Sequence, residues 1–206
     1  MTVAYVSMPG GMRHAVSKHD SRYAILGVEC RTGRTAEGAA DGVYVTATDG
    51  HVLAVRKVEG EGFDEPVLVP AELLQTRKNG DKIIHKNGRL ESVFGSRIAD
   101  PIEATFPPCV DILPEVGEKY RAIGLNAKLL WNLARAICDP VNETHIVLLI
   151  PPDPHKSIPV LAMDPGDGFG VIMPVRVDGE PTVDWEKRRA DYTGAVNGKA
   201  TPAAAG

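Results

Sequence analysis

The chain has 206 residues, 43% of them hydrophobic and only 5% aromatic, enough for one large or two small domains with mainly aliphatic cores. A net charge of −4 excludes a protein that coats nucleic acid through bulk positive charge, but not one with a local basic face. No apolar run reaches the roughly 18–20 residues of a membrane span, and the N-terminus lacks a signal-peptide pattern, so a cytoplasmic protein without membrane partners is expected.

Residues 3–7 alternate as a short strand does. Pro9-Gly10-Gly11 interrupts, and Met12–His19 is expected to form a short helix. Tyr23–Arg31 reads as a strand ending in a Gly/Ala/Thr-rich loop over 32–42. Val43–Ala47 and Val52–Val58 flank Asp49-Gly50, a strong hairpin signal because Gly tolerates positive φ and Asp bonds its own backbone. A glycine-containing polar linker follows over 60–65. Val67–Val69 is an apolar run, and Pro70 is acceptable at the first turn of a helix over Ala71–Arg77. Lys82–His85 and Leu90–Phe94 flank a second hairpin signal, Asn87-Gly88. Arg97–Ala104 is a strand that Pro101 confines to an edge or splits.

A third segment begins after a polar loop over 115–118. Tyr120–Leu125 alternates, and Asn126 is a natural N-cap for a helix over Ala127–Cys138 that Asp139-Pro140 stops. His145–Ile150, Ile158–Met163 and Gly170–Val177 read as strands. The chain is therefore α+β, with three β-α-β-β-β units: 1–60 and 66–114 within one domain over 1–118, and a third over 119–178. Residues 179–206 hold too little apolar surface to offset ordering entropy and are expected to be a flexible tail.

On a helical wheel of the third unit, Leu125, Leu129, Leu133 and Ala136 share one side, with Leu130 and Ile137 adjoining. Lys128, Asn132 and Arg135 gather opposite. That face is either simply solvated or touches phosphates, where Lys and Arg replace counterions. Arg13, His14 and Lys18 offer a thinner version near the N-terminus. Cys30, Cys109 and Cys138 are odd in number and widely spaced, so buried free thiols are expected rather than disulfides or zinc ligands. No catalytic set, metal spacing or phosphate loop stands out, so neither catalysis nor a cofactor is expected.

Several stretches together resemble the bacterial DNA polymerase III β subunit, the sliding clamp. Asp20–Val28 is similar to that family's D-x-R-x-x-L-x-G strand, and Ala47–Ala54 to its A-T-D-G-H-R-L-A motif. Val67–Pro70, Phe106-Pro107 with Ile112-Leu113-Pro114, Ile123–Leu130 and Ile172–Arg176 match further motifs in the family's order. The resemblance implies a DNA-clamp fold built from β-α-β-β-β units, two to a domain. It implies a pocket for short linear motifs of polymerases and clamp loaders. Ile25, Thr48, Gly50, His51, Val52 and Leu53 would form one side, Pro107 and Ile112 a second, and Val171, Ile172, Met173, Pro174, Val175 and Arg176 a third. It also implies double-stranded DNA, bound without sequence preference, against Arg13, Lys18, Lys128, Asn132 and Arg135.

Two rim positions depart from the family: Val52 stands where it has arginine in G-H-R-L, and Asp111 where arginine is common. The larger departure is one of count. The first domain and the first half of the last have no visible counterpart, and an orphan half-domain leaves a sheet edge and a helix face uncovered. A homo-oligomer is therefore expected. Two functions compete: a processivity factor surrounding duplex DNA, and a clamp-like interaction or regulatory module that does not. An enzyme on an α+β scaffold is disfavoured because no catalytic set is present.

Overall fold

A computed structural model describes residues 4–17, 23–34, 39–74, 81–115, 122–138, 145–153, 155–163, 168–176 and 181–197. The chain divides into two compact units, Met1–Pro114 with Lys187–Gly206, and Glu115–Glu186.

Among the described residues the first unit holds eight strands: β1 (Ala4–Met8), β2 (Gly27–Arg34), β3 (Ala40–Thr48), β4 (Leu53–Val58), β5 (Val67–Pro70), β6 (Asp81–Lys86), β7 (Arg89–Ser92) and β8 (Arg97–Ala99). They form two antiparallel four-stranded sheets, β4-β3-β2-β5 and β1-β6-β7-β8. The first strands of the two sequence repeats are thus exchanged. β5 opens the second repeat but pairs with β2, Val28 opposite Val69. β1 opens the first but pairs with β6, Val6 opposite Ile83. A single bridge, Val6 to Gly60, keeps β1 in touch with the end of its own repeat.

Alternation explains the layering, since successive strand side chains point to opposite faces. Val43, Val45 and Ala47 of β3 face a core shared by both sheets, with Val28 and Cys30 of β2, Ile83 of β6 and Leu90 of β7. Each of these is fully buried. Because both repeats contribute to that core, neither can complete it alone.

Where the two helices expected in this unit fall on described residues, these form short 3-10 segments, Gly10–Ala15 and Ala71–Leu73. Gly10-Gly11 is a poor helix former. Met12 and Ala15, both buried, are three apart, which suits three residues per turn. Residues 18–22 and 75–80 lie outside the described residues. Tyr23–Leu26 is also 3-10 rather than strand. Pairing of β2 with β5 starts at Gly27 opposite Pro70, where β5 ends, so the residues before Gly27 have no ladder partner among those described. β2 runs on to Arg34, past the expected loop boundary. The last strand stops at Ala99, short of Pro101, whose missing N–H cannot extend a ladder.

The second unit contains helix α1 (Ala127–Ile137) and strands β9 (Ile146–Leu148), β10 (Ile158–Ala162) and β11 (Phe169–Ile172), in the antiparallel order β11-β10-β9. The Asn126 side chain accepts from the N–H groups of Lys128 and Leu129, at 3.0 and 3.2 Å, and caps α1 as expected. The strand expected over 120–125 contributes one bridge, Gly124 to Val175; residues 120 and 121 lie outside the described residues. The face of α1 that packs differs from the wheel assignment. Leu130, Leu133 and Ile137 join the core of Ile158, Val160 and Ile172, and Ala134 is buried. Leu129 is 55% exposed, and Ala136 is exposed. At 100° per residue 130, 133, 134 and 137 make a stripe about 100° wide, from which 129 and 136 fall to one side.

The expected tail is in large part ordered. Residues 181–197 form helix α2 (Pro181–Asn197), and Tyr192 is buried. Residues 182–193 contain neither Gly nor Pro, and Pro181 suits a first helical position. Low average hydrophobicity hid this helix, whose few attachments include the buried Tyr192. Residues 198–206 lie outside the described residues.

Candidate peptide-binding walls and basic faces

The hairpin between β3 and β4 is closed by four residues, not two. Thr48 pairs with Leu53, and Val52 belongs to the loop rather than to the strand. The Asp49 carboxylate oxygen Oδ1 accepts from the N–H groups of His51 and Val52, both at 2.8 Å. These bonds, that to Val52 foremost, hold the Asp49 carboxyl below its usual pKa. Thr48 Oγ1 accepts from Gly50 N–H at 3.1 Å and donates to the Val52 carbonyl at 2.6 Å. Gly50 sits at φ 92°, a left-handed conformation that costs glycine little. Thr48 and Gly50 therefore build the turn, while His51 and Val52 project from it, Val52 50% exposed.

Behind the turn, Leu53 packs with Ala24 and Ile102 against a small cluster of Leu68, Phe106 and Cys109. The structure so brings the hairpin wall to the segment carrying Pro107 and Ile112. Pro107 is half-buried, and Ile112 ends a 3-10 turn over Cys109–Ile112 with its side chain 66% exposed. Ile25 is buried and offers no surface. Phe106 was legible from its motif. Leu68 lay within the Val67–Pro70 motif, whereas Cys109, which also supports the wall from below, carried no sequence signal beyond being apolar. Burial raises the Cys109 thiol pKa, and drives that of Cys30 far higher. All three cysteines are free and buried.

The second half of α2 packs on the same sheet, on the face away from the core. The Tyr192 hydroxyl and Thr46 Oγ1 are 3.2 Å apart, and the rings of Tyr192 and Tyr44 lie 5.8 Å apart, tilted. Arg189 Nε donates to the Leu113 carbonyl at 3.3 Å, directly after the turn that carries Ile112. Burial raises the Tyr192 pKa above that of an ordinary phenol.

The third predicted wall lies in the second unit. Val171 and Ile172 are on β11, opposite Pro159 and Ile158 of β10. Ile172 faces α1 and is buried, whereas Val171 and Met173 are 62% and 63% exposed. Val175 N–H donates to the Gly124 carbonyl at 2.9 Å, and Pro174 is half-buried between two exposed neighbours. Arg176 is exposed. Of the six residues, Ile172 is therefore core.

Among the basic candidates, Lys128, Asn132 and Arg135 are exposed on the face of α1 opposite its packed stripe. Arg13 is exposed on the 3-10 segment Gly10–Ala15, and Lys18 lies outside the described residues. An open groove of about 500 Å³ in the first unit is lined in part by Arg13, Leu26, Pro70 and Ile102, and by none of the predicted peptide-pocket residues. No group of three or more His, Cys, Asp or Glu suited to a metal occurs among the described residues. No described helix is long and apolar enough to cross a membrane.

No protein-family model matches the sequence, and no curated protein matches it. Solved structures do. A β sliding clamp from Caulobacter crescentus superimposes with a TM-score of 0.61 at 18% identity, over 87% of this chain and 52% of that one. The fold is that of a bacterial sliding clamp. A sliding clamp from Bartonella birtlesii, solved bound to griselimycin, gives a TM-score of 0.58 at 16% identity over 88% of this chain and 53% of that one. A DNA polymerase III β subunit from Eubacterium rectale gives 0.57 at 14% identity over 84% and 50%. This chain thus spans about half the length of the clamps it resembles.

Proposed function

We propose that the protein is a sliding-clamp-like processivity factor that surrounds duplex DNA as a homo-oligomer and captures short linear motifs of DNA polymerases and clamp-loader-type proteins. The observation that carries this reading is the packing of Leu53 against the Phe106–Cys109 segment within a clamp fold. It yields a rigid wall with apolar tips, Val52 and Ile112, left open to solvent. Apolar anchors of a peptide suit such a wall, and Met173 adapts to varied shapes. The Bartonella birtlesii clamp of the same fold was solved with griselimycin bound, in keeping with ligand capture on this scaffold.

A titration with a clamp-binding peptide tests the pocket. Leu53→Ala and Met173→Ala should each weaken binding by about 1–2 kcal/mol, as moderate hot spots do; unchanged affinity for both, with folding intact, overturns it. For DNA, replacing Lys128 and Arg135 together should weaken association and flatten its salt dependence.

A second reading, a clamp-like module that does not encircle DNA, draws on the first unit. Its two expected helices are 3-10 turns among the described residues, and Arg13 is exposed on one of them. A chain that stays monomeric at micromolar concentration with DNA present would favour it.

A further inference from the structure

The first unit shows how this chain joins two repeats, and among the described residues the second shows no such joining. In both four-stranded sheets of the first unit, the second strand of one repeat receives the first strand of the other: β5 on β2, and β1 on β6. The second unit repeats the local pattern. Gly124 bridges Val175 just after β11, as Val6 bridges Gly60 just after β4. Its sheet, however, stops at three strands, and β9, the counterpart of β2 and β6, is an edge among the described residues.

The ladder fixes which groups that edge presents. Leu149 N–H donates to the Pro159 carbonyl, and Met163 N–H to the His145 carbonyl. With Val147 opposite Leu161, the odd-numbered residues bond β10. The N–H and C=O of Ile146 and Leu148 therefore point out of the edge. The core beneath is correspondingly thin. α1 packs on β11 and β10, while Ile146 and Leu148 are only half-buried. Among the described residues three of this cluster are buried, against eighteen in the core that joins the two repeats of the first unit.

We propose that a second copy of this chain completes the half-domain. Residues 122–125 of each copy add to the β9 edge of the other, giving two four-stranded sheets over a shared core, as in the first unit. A two-fold axis suffices, because the exchange of β1 and β5 is itself reciprocal and an isologous interface pairs each element with its equivalent. The occupant is a half-unit of this kind because this chain already joins its other two half-units by that exchange. The half-buried Ile123, Leu125, Ile146 and Leu148 are the apolar reserve toward the roughly 800 Å² per partner of a stable interface. Strand addition also removes an open edge that otherwise invites aggregation.

This interface specifies the oligomer of the proposed function and rests on that reading only for the existence of an oligomer. The full chain is followed by sedimentation and by amide hydrogen exchange across a hundredfold dilution series. A dimer is expected at the high end, with the Ile146 and Leu148 amides protected there at least tenfold more than at the low end. Val147 and Leu149, bonded within the sheet, should show much less dependence on concentration. Leu148→Pro, which removes an outward N–H while leaving the bonds to β10, should shift the chain to monomer. An oligomer whose Ile146 and Leu148 amides exchange freely overturns this interface and leaves the proposed function standing. A monomer at every concentration, with β10 amides protected to show folding, overturns both.

Discussion

The two units use the same pieces with opposite results. In the first, two repeats exchange strands and enclose a core of fully buried aliphatic residues such as Val43, Ile83 and Leu90. In the second, one repeat folds a three-stranded sheet onto α1, and its outer face carries Phe169, Val171 and Met173, each more than 60% exposed. Monomeric surfaces seldom keep so many large apolar groups together unless a partner uses them. The second unit thus satisfies its local rules (a capped helix, a regular hairpin ladder) and still leaves exposed apolar groups that those rules create.

Truncation offers the largest test of that contrast. Leu90→Ala should cost about 3–4 kcal/mol of stability, because a fully buried leucine leaves a cavity that its surroundings cannot close. Leu133→Ala, at a half-buried site on α1, should cost about half as much by chemical denaturation. Equal costs would mean that the second unit is as tightly packed as the first.

The helix caps give a smaller effect on one side only. Asn126→Ala removes the acceptor for two N–H groups of α1 and should destabilise the second unit by about 1 kcal/mol. The first unit, which the Asn126 side chain does not cap, should not respond. Thermal melts followed by a probe in each unit read both.

The docking of α2 on the first unit gives a comparable effect with a pH signature. Tyr192→Phe removes the bond to Thr46 and should cost about 1 kcal/mol. The Tyr192 pKa is raised in the folded state, so the protonated form is the one favoured there. Its contribution is complete below the unfolded phenol value near 10 and is lost as pH rises through the folded value. Amide exchange in residues 187–197 should therefore quicken above about pH 10 in the native chain, and Tyr192→Phe should remove that dependence.

Smallest of all is the turn. Asp49→Ala should loosen the hairpin by less than about 1 kcal/mol, since the bonds it loses are exposed to water. The lowered Asp49 pKa makes this contribution present above the unfolded carboxylate value near 3.9, lost as pH falls through the folded value. An acid titration of Asp49 by NMR that showed an ordinary or raised pKa would refute the turn geometry.

The sequence by itself determined the local grammar. Alternation at Val43, Val45 and Ala47 specified β3 and its buried face, Asn126 specified the start of α1, and Asp49-Gly50 and Asn87-Gly88 specified hairpins. These signals lie within a few residues of what they control, so they can be read without the fold. The ordered motifs also pointed to the clamp fold that the solved structures match. Tertiary structure decided the rest. The exchange of β1 and β5 depends on pairings about 40–80 residues apart, and no local pattern marks which edge a strand will choose. The stripe of α1 that packs was set by where β10 and β11 lie, which left Leu129 outside. α2 was invisible because its attachments, Tyr192 meeting Thr46 from 146 residues away and Arg189 meeting Leu113, are distant in sequence, while its own composition reads as solvent-exposed. Likewise the hairpin wall of the candidate pocket could be named from its motif, but only packing showed that Thr48 and Gly50 build the turn and that Leu53 rests on Phe106 and Cys109.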